Sequence, residues 1–213
     1  DFVAKDYKAA SAGYDNVVKD YFDVNDIYPY YQSALSYGLM NKTDKKISLL
    51  SNVMGASPTS EFYPEAMFEL GRSYAVKEDT YNAYKCFNTL AETVKDSTYV
   101  AKAYIEMGSL ARNESMYNEA LAYYKIVVEK MPMSEYADDA LAAIESIYQS
   151  KNDPEEYIAY IESIGKGSMK TADEKENMIF NSAEQIFLSE KRGFLKAGAF
   201  ALPSASESCV RQL

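Results

Sequence analysis

The stretch from Ser60 to Met133 contains the same pattern twice, and a repeat of this kind confines the chain to architectures in which like units stack on one another. Met67-x2-Leu70-Gly71-x2-Tyr74, then Ala83-x3-Phe87 and Leu90, returns 37 residues later as Tyr104-x2-Met107-Gly108-x2-Ala111, then Ala120-x3-Tyr124, Val127 and Pro132. The expected helix starts keep the same step. Ser60, Ser97 and Ser134 each stand two residues before an aromatic (Phe62, Tyr99, Tyr136), and Ala66, Ala103 and Ala140 follow in phase.

A pair of antiparallel helices that cannot bury its apolar faces alone accounts for the pattern. Met67, Leu70, Tyr74, Phe87 and Leu90 fall at helical spacing on inward faces, and stacked pairs close a continuous core. Gly71 and Gly108 lie inside the first helix, where glycine costs about 1 kcal/mol relative to alanine, so a close helix approach is expected there. Ala83 and Ala120 are expected to be its small partners.

These residues resemble the tetratricopeptide repeat, whose signature is W-x2-L-G-x2-Y, A-x3-F and then P. Met67 and Tyr104 stand at its Trp, Ala111 at its Tyr, and Lys95 at the first Pro. The three residues beyond the ordinary 34 fall between successive repeats. There, Pro132-x-Ser134-x-Tyr136-x3-Ala140-Leu141 resembles bacterial envelope repeat proteins of the Tol-Pal-associated and outer-membrane-assembly lipoprotein types. The resemblance implies an all-α, right-handed α-α superhelix, a solenoid of about five helical hairpins with a partial first repeat.

Taken in order, the chain predicts a solenoid over residues 1–202. A partial repeat over 1–22 consists mainly of a second helix from Lys5 to about Tyr21, its apolar stripe uncovered. Repeats follow over about 27–60, 61–97, 98–134, 135–166 and 171–202. In the first of them Ala34 takes the glycine place and Lys46 the alanine place, with Pro58 in register; in the fourth Glu145 takes the glycine place. Pro154 suits the first position of a helix that ends at Gly165-Lys166-Gly167-Ser168. Thr171-x-x-Glu174 has the form of a capping box starting a helix to about Ser189, after which Phe194-x2-Ala197 opens a fifth second helix. Residues 203–213 carry no periodicity and read as an irregular tail.

Composition and motifs argue against most chemistry. The chain has no His, the commonest base and metal ligand at neutral pH, so no catalytic, cofactor or metal residues are assigned. Gly165-Lys166-Gly167-Ser168 lacks the spacing of a phosphate loop and follows no strand. Asp138-Asp139 and Glu155-Glu156 sit in first turns, where acids complement the helix dipole. Asn41-Lys42-Thr43 and Asn113-Glu114-Ser115 match the glycosylation pattern but fall in predicted turns. Cys86 and Cys209 form no motif, and Cys86 is expected to be a small buried residue. A net charge of −10 without a dense basic cluster argues against nucleic acid and anionic membrane surfaces as partners, and no run is long enough to span a bilayer.

A non-enzymatic protein-protein interaction scaffold remains, with another protein or peptide segment as partner and self-association through the open N-terminal repeat as a second contact. By resemblance, the inner surface is lined by positions 2, 5, 9, 12 and 13 of each repeat. In the first copy these are Tyr28, Tyr31, Leu35 and Leu39; in the next, Glu65, Phe68, Arg72 and Val76; in the third, Lys102, Ile105, Ser109, Arg112 and Asn113. Tyr28, Tyr31, Leu35, Phe68, Arg72, Ile105, Ser109, Arg112 and Asn113 are the candidate groove. Phe68, Glu69 and Glu106 stand where a carboxylate clamp needs donors, which argues against that mode. The envelope resemblance implies a fragment of a periplasmic or outer-membrane-associated protein. A cytoplasmic peptide-binding adaptor, or a repeat region appended to an enzyme outside these residues, are the alternatives.

Overall fold

The computed structural model describes residues 2–20, 26–55 and 59–200. Among these there are ten α-helices and no strand: α1 (Tyr7–Asp20), α2 (Tyr28–Leu39), α3 (Thr43–Leu50), α4 (Tyr63–Val76), α5 (Thr80–Thr93), α6 (Ser97–Asn113), α7 (Tyr117–Lys130), α8 (Ala137–Ser150), α9 (Pro154–Ser163) and α10 (Ala172–Phe200). The chain forms two compact units, Asp1–Ile144 and Glu145–Leu213, the boundary lying inside α8. The predicted step governs the turns more strictly than the helices. First helices end at Leu39, Val76, Asn113 and Ser150, and second helices begin at Thr43, Thr80, Tyr117 and Pro154, each 37 residues after the last.

One turn geometry explains that regularity. Asn41, Glu78, Ser115 and Asn152 adopt left-handed φ angles of 58°, 58°, 61° and 53°. The next amide N–H in each turn donates back to the first helix: Lys42 to Tyr37 at 2.9 Å, Asp79 to Tyr74 at 3.0 Å, Met116 to Ala111 at 2.8 Å and Asp153 to Tyr148 at 3.0 Å. The left-handed residues themselves donate to Gly38, Ala75, Arg112 and Gln149. This pair of bonds satisfies the last carbonyls of each first helix and reverses the chain. Asp79 and Asp153 then cap the second helices, accepting from the amides of Asn82 and Glu156.

Within a pair, the glycines admit a ring. A Cβ at Gly71 would lie 2.7 Å from Cε1 of Phe87, and one at Gly108 would lie 2.7 Å from Cε1 of Tyr124. Ala83 and Ala120 are fully buried as expected, yet the atoms crowding the glycines belong to the rings four residues later. The first copy solves the same problem with smaller groups on the opposite side, Ala34 facing the helix that carries buried Leu50. Lys46, in place of the alanine, runs its stem 3.0 Å from the Cβ position of Gly38 and sends Nζ to Glu69 at 2.5 Å. In the fourth copy Tyr157 takes the alanine place and Glu145 the glycine place. Buried Tyr157 donates its hydroxyl to Glu145 at 2.9 Å, and Lys170 pairs with the same carboxylate at 2.9 Å.

Three expectations change. The exposed positions of α1 are Lys8, Ala12, Gly13, Asn16, Val17, Lys19 and Asp20, so Val17 alone of these is a large apolar residue and the expected apolar stripe is largely covered. Its inward side is fixed by Asp15, which accepts from Ser33 and Tyr37 hydroxyls at 2.6 Å each. Asp96, not Ser97, caps α6. The capping box at Thr171 and Glu174 forms reciprocally, at 2.7 and 3.2 Å. Beyond it, however, the chain makes one 29-residue helix in place of the hairpin over 171–202. Positions that bury Ala140, Ile144 and Tyr148 in the preceding copy are Asn177, Asn181 and Gln185 in α10. A helix folded back on them would bury three carboxamides, so the backbone stays in register with itself. Pro58, the helix end at Tyr21 and the tail over 203–213 lie outside the described residues.

Replacing Gly71 by Ala is expected to destabilise the protein by about 1–3 kcal/mol, and adding Phe87→Leu, which copies the Ala34 and Leu50 solution, should recover part of that loss in thermal melts. Glu78→Gly should stabilise by about 1 kcal/mol, because it removes a left-handed side chain from a turn that keeps its hydrogen bonds. A loss of stability in the same melt would mean that the Glu78 side chain contributes something the turn geometry does not contain.

Candidate functional site

The first helices α2 and α4 end side by side in the first unit, and their last turns bound a recess of about 380 Å³. Its walls include Leu35, Gly38 and Leu39 from α2, and Glu69, Arg72, Ser73 and Val76 from α4, with Lys46 of α3 at the back. Leu39 and Val76 are 53% and 74% exposed, so water covers two aliphatic side chains that a ligand could desolvate. Four residues expected from sequence, Leu35, Leu39, Arg72 and Val76, meet here.

The other candidates divide between packing and surface. Tyr28 is 39% exposed, its ring 4.8 Å from that of Phe62. Tyr31 is 5% exposed and stacks on Phe62 at 6.1 Å, too enclosed to serve as an anchor. Burial and a hydrogen bond with Glu65 push its hydroxyl far above the ordinary range. Phe68 packs against Phe87 at 5.8 Å and is covered by the Lys102 ammonium at 5.7 Å, which also lies over Tyr99 and Tyr136. Ile105 is half-buried, and Ser109 donates to its carbonyl at 2.9 Å while sharing a hydrogen bond with Tyr124. Arg112 and Asn113 are exposed at the end of α6.

Charges along α4 and α6 are largely compensated within the fold. Glu69 holds Lys46, and Arg72 reaches Glu69 and Glu106 at 3.8 Å each. Burial raises the Glu106 carboxyl above its usual value, against the pull of Arg72 and with a push from Glu69. Arg112, by contrast, has no carboxylate within ion-pair distance among the described residues. Sequence reasoning missed Glu69 and Lys46 as recess residues. The signal was Lys46 itself, a long cation at a position the repeat reserves for a small side chain.

Cys86 is buried among groups that push its thiol up to about 12, and no cluster of metal-ligating side chains occurs among the described residues. None of their helices is long and apolar enough to cross a membrane. No protein-family model matches the sequence, and no curated protein matches it either. The fold is similar to that in the crystal structure of MamA, a tetratricopeptide-like helical repeat protein, with a TM-score of 0.58 and 18% identity over 89% of this chain and 94% of that one. The all-α helical repeat fold predicted from the sequence is therefore the observed one.

The electrostatics give a pH test. A carboxyl whose folded value is raised favours the folded state when protonated, so that stabilisation is present at low pH and is lost as pH rises through the folded value. Melts of the wild type and Glu106→Gln should differ most in favour of the variant at pH 7, the gap closing towards pH 4. A gap that widens on acidification would show that pairing with Arg72 outweighs burial.

Proposed function

We propose that the protein is a non-enzymatic scaffold that holds a short segment of a partner protein along the ends of its first helices in the unit Asp1–Ile144. One observation carries this reading: the recess between α2 and α4, where Leu39 and Val76 stand uncovered beside Arg72. Arg112 offers a guanidinium with no carboxylate partner among the described residues, and arginine and apolar anchors are the types that dominate binding energy at interfaces. The segment that suits these groups has apolar side chains for Leu39 and Val76 and a carboxylate for Arg112 or Arg72. Leu35 contributes apolar wall, while Tyr28, Ile105, Ser109 and Asn113 border the path. Tyr31 and Phe68 hold the helices that form it.

Panning a random peptide display library on the full chain tests the reading. Enriched peptides are expected to combine apolar residues with Asp or Glu, and Leu39→Ser or Arg112→Glu should weaken them about tenfold without lowering the melting temperature. Binding indifferent to both changes would place the site elsewhere. We further propose an envelope location, supported by the inter-repeat motif Pro132-x-Ser134-x-Tyr136. Fractionation of cells expressing the natural full-length protein decides it, and recovery in the cytosol alone would leave the adaptor reading.

A further inference from the structure

Helix α10, in the unit Glu145–Leu213, has two faces of opposite character. Met178, Ser182 and Gln185 turn towards the α8–α9 turn, where they border a pocket with Asn152, and Ser182 donates to the Asn152 carbonyl at 3.0 Å. On another face Ile179 and Phe180, then Ile186 and Phe187, lie three or four residues to either side of Ala183, the spacing of one helical stripe. They are uncovered: Phe180 is 65% and Phe187 63% exposed, with Ile179 at 39% and Ile186 at 42%.

The stripe is not the face that buries Ala140, Ile144 and Tyr148 in the preceding copy, since that face carries Asn177, Asn181 and Gln185, the last two of which border the same pocket. It falls instead on the repeat positions of the candidate groove. Carried forward by two such steps, the positions of Lys102, Ile105, Ser109, Arg112 and Asn113 become Glu176, Ile179, Ala183, Ile186 and Phe187. Where the first unit has mixed side chains, α10 has apolar ones.

Charge selects among occupants. Glu176 and Glu190 continue the stripe at its two ends, about 21 Å apart along the helix, and Asp173, Glu184 and Lys191 flank it. Two copies of α10 paired antiparallel about Ala183 would set Glu176 against Glu190, and a parallel pair would set Glu176 against itself. Like charges so placed oppose self-association, as does the net charge of −10. Lys175 is held by Glu162 at 2.8 Å, and in the antiparallel pair Lys191 would face Lys175 rather than a carboxylate, so neither relieves them.

We propose that this face of α10 binds an amphipathic helical segment of another protein, whose apolar side chains cover Phe180 and Phe187 and whose Lys or Arg residues meet Glu176 and Glu190. The site is separate from the recess between α2 and α4 and does not depend on it.

The probe is a labelled synthetic helix of about 18 residues built from Leu, Ala and Lys, with Leu at helical spacing, titrated by anisotropy into the full chain. A Leu, Ala and Glu counterpart is the control. The basic helix should bind and the acidic one should not. Phe180→Ser with Phe187→Ser should weaken binding about tenfold, and Glu176→Gln with Glu190→Gln should weaken it and flatten its salt dependence. All four side chains are exposed, so circular dichroism and melting should be unchanged. Equal binding by the serine variant, or equal binding of both probes, overturns the proposal. So does a wild-type dimer in sedimentation that the serine changes dissociate, which would assign the face to a second copy.

Discussion

A missing Cβ is the constraint on which the pairs in the middle of the chain depend. At Gly71 and Gly108 the second helix comes close enough to lay an aromatic ring against the backbone of the first, at a distance no side chain could share. Packed interiors do not stretch to admit even one carbon, so the glycine, the ring and the helix separation form a single choice. Everything the repeat positions present outward, including the last turns of α2 and α4, inherits its spacing from that choice. The first copy shows that the choice is a sum of volumes rather than a fixed pair of residues: alanine on one helix goes with leucine on the other.

The copies next to the pattern-bearing ones departed from it in ways that looked like decay and proved to be substitutions in pairs. Lys46 is tolerable because Gly38 leaves a channel for its stem and Glu69 receives its charge. Tyr157 is tolerable because Glu145 supplies an acceptor, and Lys170 supplies the balancing charge. A buried polar group needs its partner more than it needs any particular location. Single-position comparison with a signature cannot see this, since each residue of such a pair looks wrong until the other is placed beside it.

The helices, their pairing and the 37-residue step were legible because periodicity and turn chemistry are local. The turn residue was less so: glutamate and serine at Glu78 and Ser115 give no hint of a left-handed backbone, which the surrounding hydrogen bonds impose. Candidate binding residues were legible by position but not by exposure. Tyr31 and Phe68 occupy the same repeat positions as exposed residues elsewhere, and only the contacts with Phe62, Phe87 and Lys102 reveal that they are spent on packing. The final hairpin failed for the complementary reason, because Met178 and Phe187 kept the period while the carboxamides between them removed its purpose.

That last feature bears on how such an array acquires its length. Neither proline nor glycine halts the pairing after α9; α10 runs on through the place where a reversal is due. Among the described residues, what sets α10 apart from the earlier first helices is the wettability of one face, written in Asn177, Asn181 and Gln185. An array bounded in this way can be lengthened or shortened by point changes on a single surface, without inserting or deleting a unit, so copy number here is as much a matter of side-chain chemistry as of gene duplication.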